Sequence, residues 1–156
     1  MSRYTVLLDA NILYSAPMRD VLLQLAVTDL FKAKWTADIH REWIEALLRN
    51  EPHRNRAALE RTRDMMDRAT RDCLVTGYES LIPSLTLPDP DDRHVLAAAI
   101  VGKCDVILKI KMTTKAGVNV VFFLLVASET KGLQVADIVC TTTCKGDDMV
   151  DGKISF

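Results

Sequence analysis

"RYTVLLDANILY", residues 3–14, opens with alternating and then continuous apolar residues rich in β-formers, and the run stops at Asp9. A segment of this kind reads as a strand buried on both faces, the type found in parallel sheets. Its carboxyl end is Asp9. In open α/β sheets ligands bind in the crevice beyond the carboxyl ends of the strands, so the first strand already points to where a site is to be sought.

Outward from this strand, "RDVLLQLAVTDLFKAKW" (19–35) carries Val21, Leu22, Leu25 and Ala26 at helical spacing, followed by Leu30 and Phe31, and predicts an amphipathic helix. "TADIHREWIEALLRN" (36–50) repeats the pattern more cleanly: Ile39, Trp43, Ile44, Leu47 and Leu48 share one face, with Thr36 or Asp38 as cap. Residues 55–71 set Ala58, Leu59, Thr62, Met65, Met66 and Ala69 on a further stripe. "DCLVTGY" (72–78) predicts a short strand, "SLIPSLTLPDPDD" a loop, and a helix follows at about 91–102. "CDVILKI" predicts a third strand, and "VNVVFFLLVA" (118–127) and "LQVADIVC" give two more candidates. Strands alternating with helices imply a three-layer α/β domain with a mostly parallel sheet, and residues 1–156 read as a single domain.

The composition excludes several classes. With 49% hydrophobic and 26% charged residues and a formal net charge of −1, the chain has a globular balance and no global basic signature, so any nucleic acid must meet a local surface. The N-terminus has neither the apolar core nor the small-residue cleavage site of a secretory signal, which predicts a cytoplasmic protein. Residues 118–127 are the most apolar segment, yet they are half the roughly 20 residues a membrane-crossing helix needs. The cysteines, Cys73, Cys104, Cys140 and Cys144, have neither redox nor zinc-finger spacing and read as reduced structural thiols.

Two charged features remain. Seven arginines lie between Arg49 and Arg71, interspersed with Glu51, Glu60, Asp64 and Asp67. Such a helix face is ordinarily solvated and laced with its own ion pairs; the functional alternative is a phosphate-contacting stripe of Arg49, Arg54, Arg56, Arg61 and Arg63. The second feature is "LPDPDDRHVLAAA" (87–99), three carboxylates ahead of an alanine-rich run. Asp89 as N-cap, Pro90 at the first helical position and Asp91 and Asp92 in the first turn suffice as capping, at roughly 1 kcal/mol. Taken singly, Asp9 reads as a turn former and Glu42 as an ordinary surface glutamate. If Asp9, Glu42 and Asp92 converge, matters change: two carboxylates about 4 Å apart repel by roughly 4 kcal/mol at an effective dielectric of about 20. Such a cluster is protonated or neutralised by a cation, and all-oxygen donors suit Mg²⁺ or Mn²⁺.

"VLLDANILYS", "WTADIHREWIEALL" and "LPDPDDRHVLAAAI", in this order and spacing, resemble the PIN-domain ribonucleases, most closely the bacterial VapC-like toxin branch, over about residues 5–108. The resemblance implies an α/β/α domain with a central parallel sheet and an acidic Mg²⁺- or Mn²⁺-dependent site that cleaves RNA. Asp9, Glu42 and Asp92 match the family's metal-holding acids, Asn11 matches its supporting polar residue, and Asp89 and Asp91 stand as further supporting candidates. The branch also implies a homodimer and a small cognate antitoxin. After Leu108 the chain departs from the pattern. Lys109 and Lys111 stand where a fourth polar motif is expected, Thr113 or Thr114 being possible substitutes, and a lysine there competes with a cation for the carboxylates. Two functions therefore stay open: a metal-dependent endoribonuclease of toxin type, and a catalytically degenerate module that binds RNA or a protein partner. Phosphotransfer proteins of other α/β folds fit less well: haloacid-dehalogenase-like enzymes need a second aspartate where Asn11 stands, and receiver domains need an acidic pair ahead of the first-strand end and a phosphoacceptor aspartate on a later strand, which the sequence does not offer.

Overall fold

The fold starts where the sequence predicts, with β1 (Thr5–Leu8). The computed structural model describes residues 4–109 and, beyond them, the backbone of four short strands at 111–112, 118–119, 122–126 and 134–136. β1 lies between β2 (Lys32–Lys34) and β3 (Val106–Leu108), parallel to both, with Val6 opposite Ala33 on one side and Val106 on the other. A central parallel strand is covered on both faces, and Leu7 and Leu8 are accordingly fully buried. β4 (Lys111–Met112) and β5 (Val118–Asn119) form a separate antiparallel pair. β6 (Phe122–Val126) and β7 (Gln134–Ala136) extend the main sheet by antiparallel pairing, in the order β2-β1-β3-β6-β7. With helices packed on it, the sheet makes a three-layer α/β/α fold.

Asp9 closes β1 and caps the short helix α1 (Ala10–Tyr14), accepting from Ala10 N at 2.8 Å. α2 (Ala16–Val27) is shorter than the sequence predicts. The expected helix through residues 19–35 ends at Val27; Asp29 takes a left-handed backbone (φ 63°), and Lys32–Lys34 is a strand. "KAK" is too short and too polar to announce itself, because β2 sits at the sheet edge and buries only Ala33, its lysines guarding the edge. Val21 and Leu25 of α2, predicted to face the core, are exposed.

α3 (Ala37–Asn50) is the predicted amphipathic helix, and Thr36 rather than Asp38 is its cap, Oγ1 accepting from Ile39 N at 3.0 Å. It buries Ile39, His40, Trp43, Ile44 and Leu47. α4 (Arg56–Ala69), capped by Asn55, buries only Leu59 and Met66; Met65, expected on that stripe, is 61% exposed. Two residues seven apart make a narrower seam than the sequence pattern implied. The strand predicted over 72–78 is reduced to one bridge: Leu74 pairs with Trp35, and Val75 N donates to Trp35 O at 2.9 Å. Residues predicted as loop include a 3-10 turn, Glu79–Ser84.

The last predicted helix begins as a 3-10 turn, Pro90–Asp92, and continues as α5 (Arg93–Val101). Its small residues serve packing: Ala97, Ala98 and Ala99 are buried. After α5, a Cβ on Gly102 would lie 2.9 Å from both Ala98 O and Val75 Cγ2, so the close approach of these segments requires glycine. Trp35 and Trp43 are completely buried, each contributing roughly 1.5–3 kcal/mol through apolar burial.

Candidate active site

Parallel pairing of β1 with β3 sets Leu8 opposite Leu108, so Asp9 and Lys109 leave the sheet at the same edge. Asp9 N donates to Leu108 O at 3.1 Å, which locks the two strand ends together. α3 passes over this edge with Glu42, and the turn before α5 brings Asp91 and Asp92. Together with Asn11, Ile82, Pro90 and His94 these residues line a cavity of about 530 Å³. The three acids singled out in the sequence, drawn from positions 83 residues apart, do reach one pocket.

The charges inside are coupled. Asp9 is 5% exposed, and burial pushes its carboxyl above the usual range. Lys109 and the Ala10 N–H pull it down, whereas Glu42 and Asp92 add to the rise. Lys109 Nζ bonds Asp92 Oδ1 and lies 3.9 Å from Asp9 Oδ2, so one ammonium bridges the two aspartates. Glu42 Oε1 is 2.8 Å from His94 Nε2, and this contact raises the imidazole against the opposing effect of its burial.

Four carboxylates, Asp9, Glu42, Asp91 and Asp92, thus share the pocket with one ammonium and one imidazole. The donor chemistry fits a hard divalent cation: the acids lining the pocket supply oxygen only. The side chains are nonetheless engaged with the protein's own Lys109 and His94. Among the described residues no group of three or more His, Cys, Asp or Glu side chains is gathered as a metal cage.

The remaining sequence candidates are sorted by the same geometry. Asn11 and Asp91 line the pocket, whereas Asp89 does not; it caps the turn, accepting from Asp91 N at 3.0 Å. None of the five candidate arginines lines the pocket. Arg54 pairs with Glu51, Arg56 with Glu45 and Arg63 with Asp64, each at 2.8 Å, the behaviour of a solvated helix face. Lys111, Thr113 and Thr114 as site candidates lie outside the described side chains. Ile82 and Val95 form apolar parts of the wall that no sequence signal marked. Cys73 and Cys104 are buried free thiols pushed up to about 11 and about 12 by burial, in keeping with structural roles; Cys140 and Cys144 lie outside the described residues.

The family model described as "PIN domain" matches residues 5–108, two thirds of the chain, from β1 to the end of β3. Among curated proteins none matches the chain, and among solved structures none does. No helix among the described residues is long and apolar enough to cross a membrane.

Proposed function

The chain belongs to the PIN-domain family, and we propose that it is a divalent-metal-dependent endoribonuclease of the toxin-antitoxin type. A nuclease-type fold is what the family supplies; the metal, the RNA substrate and the toxin role are our reading. One observation carries it: Asp9, Glu42 and Asp92 come from a strand end, a helix and a capped turn, and meet in one cavity. Capping explains Asp89 and turn formation explains Asp9, but neither explains why these acids face one another.

In this reading Asp9, Glu42 and Asp92 hold Mg²⁺ or Mn²⁺. When bound, such an ion lowers the pKa of water and offsets the charge that gathers on a phosphodiester under attack. The chain's own residues supply position. Asp9 is fixed twice over, by its cap to Ala10 N and by the backbone bond to Leu108 O. His94 holds the Glu42 carboxylate against the pocket wall, and Asn11 lines the same wall. No described side chain has the geometry of a dedicated general base, since the imidazole of His94 is already engaged with Glu42. Arginines on α4 and before it act, in this reading, by long-range attraction of RNA rather than by contact in the pocket. The toxin branch brings two further proposals, a homodimer and a small antitoxin that blocks the acidic pocket, in a cytoplasmic setting.

The second reading, a non-catalytic PIN module that binds RNA or a protein, is favoured by one specific observation: the Lys109 ammonium stands between Asp9 and Asp92. The two readings separate in one assay. Purified protein freed of metal is incubated with structured and single-stranded RNA, with Mn²⁺ or with chelator. Cleavage that needs Mn²⁺ and disappears in Glu42→Gln supports the nuclease; intact RNA retained on the protein without cleavage supports the module.

A further inference from the structure

Lys109 directly follows β3, whose register with β1 places it beside Asp9. Its side chain is largely buried (20% exposed), and its ammonium bonds Asp92 Oδ1 while standing 3.9 Å from Asp9 Oδ2. A long flexible side chain on a surface would leave its charge in water; here the ammonium is turned onto two carboxylates in the acidic pocket. We propose that Lys109 is an internal counter-ion for the Asp9 and Asp92 pair, standing in the place of a divalent cation, so that a metal ion enters only by displacing it. The identity of the displaced cation rests on the nuclease reading above, whereas the counter-ion role of Lys109 does not.

The physical argument is one of substitution. Two buried or half-buried carboxylates facing each other need positive charge, and a tethered ammonium provides it without losing translational freedom at each encounter. A divalent ion offers twice the charge, but it must first detach Lys109 from Asp92 and return that ammonium to water. The consequence is a raised metal threshold: the Asp9 and Asp92 pair stays partly neutralised when divalent ion is scarce. Glu42 is held by His94, so the two contacts together keep the acids engaged with the protein's own side chains.

The test uses the full chain as wild type, Lys109→Met, Asp92→Asn and the double variant, with two readouts. In chelator, thermal unfolding measures whether Lys109 and Asp92 are coupled; Lys109→Met is expected to lower Tm, and much less so in the Asp92→Asn background. Calorimetric titration with Mn²⁺ then measures displacement, and Lys109→Met is expected to bind Mn²⁺ more tightly than wild type by about tenfold or more. Coupling together with tighter Mn²⁺ binding supports both the counter-ion and the metal site. Equal Mn²⁺ affinity in wild type and Lys109→Met, lost in Asp92→Asn, overturns the displacement of Lys109 by metal and leaves the metal site standing. No Mn²⁺ binding in either protein, with the coupling present, overturns the nuclease reading and supports Lys109 as a permanent counter-ion. Neither binding nor coupling overturns both.

Discussion

His94 Nε2 lies 2.8 Å from Glu42 Oε1, which ties the first turn of α5 to the middle of α3 across the wall of the acidic pocket. His94 is mostly buried and Glu42 partly exposed, so the pair is a clamp whose worth is set by partial screening. Replacing His94 by Ala is expected to release Glu42 and to remove a packed ring at once. A double-mutant cycle with Glu42→Gln, read by denaturant unfolding in chelator, isolates the pairwise part, expected at about 0.5–1 kcal/mol. Additive single variants would show that the contact holds nothing in place.

Asp9 is the acid on which the nuclease reading depends most directly. Asparagine at this position keeps an oxygen able to accept from Ala10 N and removes the charge. Because burial opposes the ionised form of Asp9, Asp9→Asn is expected to leave Tm unchanged or to raise it slightly. RNA cleavage is expected to fall by at least about a hundredfold, the scale on which loss of a preorganised charge acts. Unchanged cleavage with unchanged Mn²⁺ dependence would remove Asp9 from the site.

How much of this was legible in the sequence follows from where each signal came from. β1 and α3 carry strong apolar periodicity, and both stand where the pattern puts them. Lys32–Lys34 was invisible because a three-residue edge strand buries one alanine and owes its existence to pairing with β1, a partner 27 residues away in register. Residues 72–78 have strand-like composition, yet they meet a neighbour only at Trp35, so propensity found no ladder to join. For the site, Asp9, Glu42 and Asp92 were named from residue type and spacing, but their convergence depends on the register of β1 with β3 and on the path of α3, which no local pattern encodes. Lys109 was named as a competitor from its position, and its inward turn is a property of the pocket. The arginines between Arg49 and Arg63 show the opposite case, a conspicuous composition whose described contacts are mainly with neighbouring acids.

Tyr78 Oη donates to Asp38 Oδ2 at 2.7 Å, fastening the segment after Leu74 to the first turn of α3. This bond, ahead of the opposing effect of burial, holds the Asp38 carboxyl below its ordinary value, with Arg41 assisting. A carboxylate whose folded pKa is depressed contributes stability that is present above its unfolded pKa, about 3.9, and is lost as pH falls through the folded value. Tyr78→Phe is therefore expected to lower Tm at pH 6, and the gap from wild type to narrow as the pH is brought below about 4. Parallel pH profiles for the two proteins would mean that the hydroxyl acts independently of the Asp38 charge.

Asp67 anchors the polar centre between the two tryptophans. Its Oδ1 accepts from Trp35 Nε1 at 2.8 Å and lies 3.0 Å from His40 Nε2. Trp43 Nε1 donates to His40 Nδ1 at 2.9 Å, so Nδ1 is the acceptor and the ring proton sits on Nε2, aimed at Asp67. Burial, outweighing Asp67, lowers the imidazole pKa and favours this neutral tautomer. Both bonds fall on the same carboxylate oxygen, and an asparagine amide oxygen can receive both. Asp67→Asn is expected to cost about 1 kcal/mol, the difference between a charged and a neutral acceptor. Asp67→Ala leaves the N–H groups of two buried rings, Trp35 and His40, without their shared acceptor and is expected to cost about 3 kcal/mol. Equilibrium urea unfolding of the two variants decides the matter: equal losses would mean that packing volume, rather than the shared acceptor, holds α4 against α3.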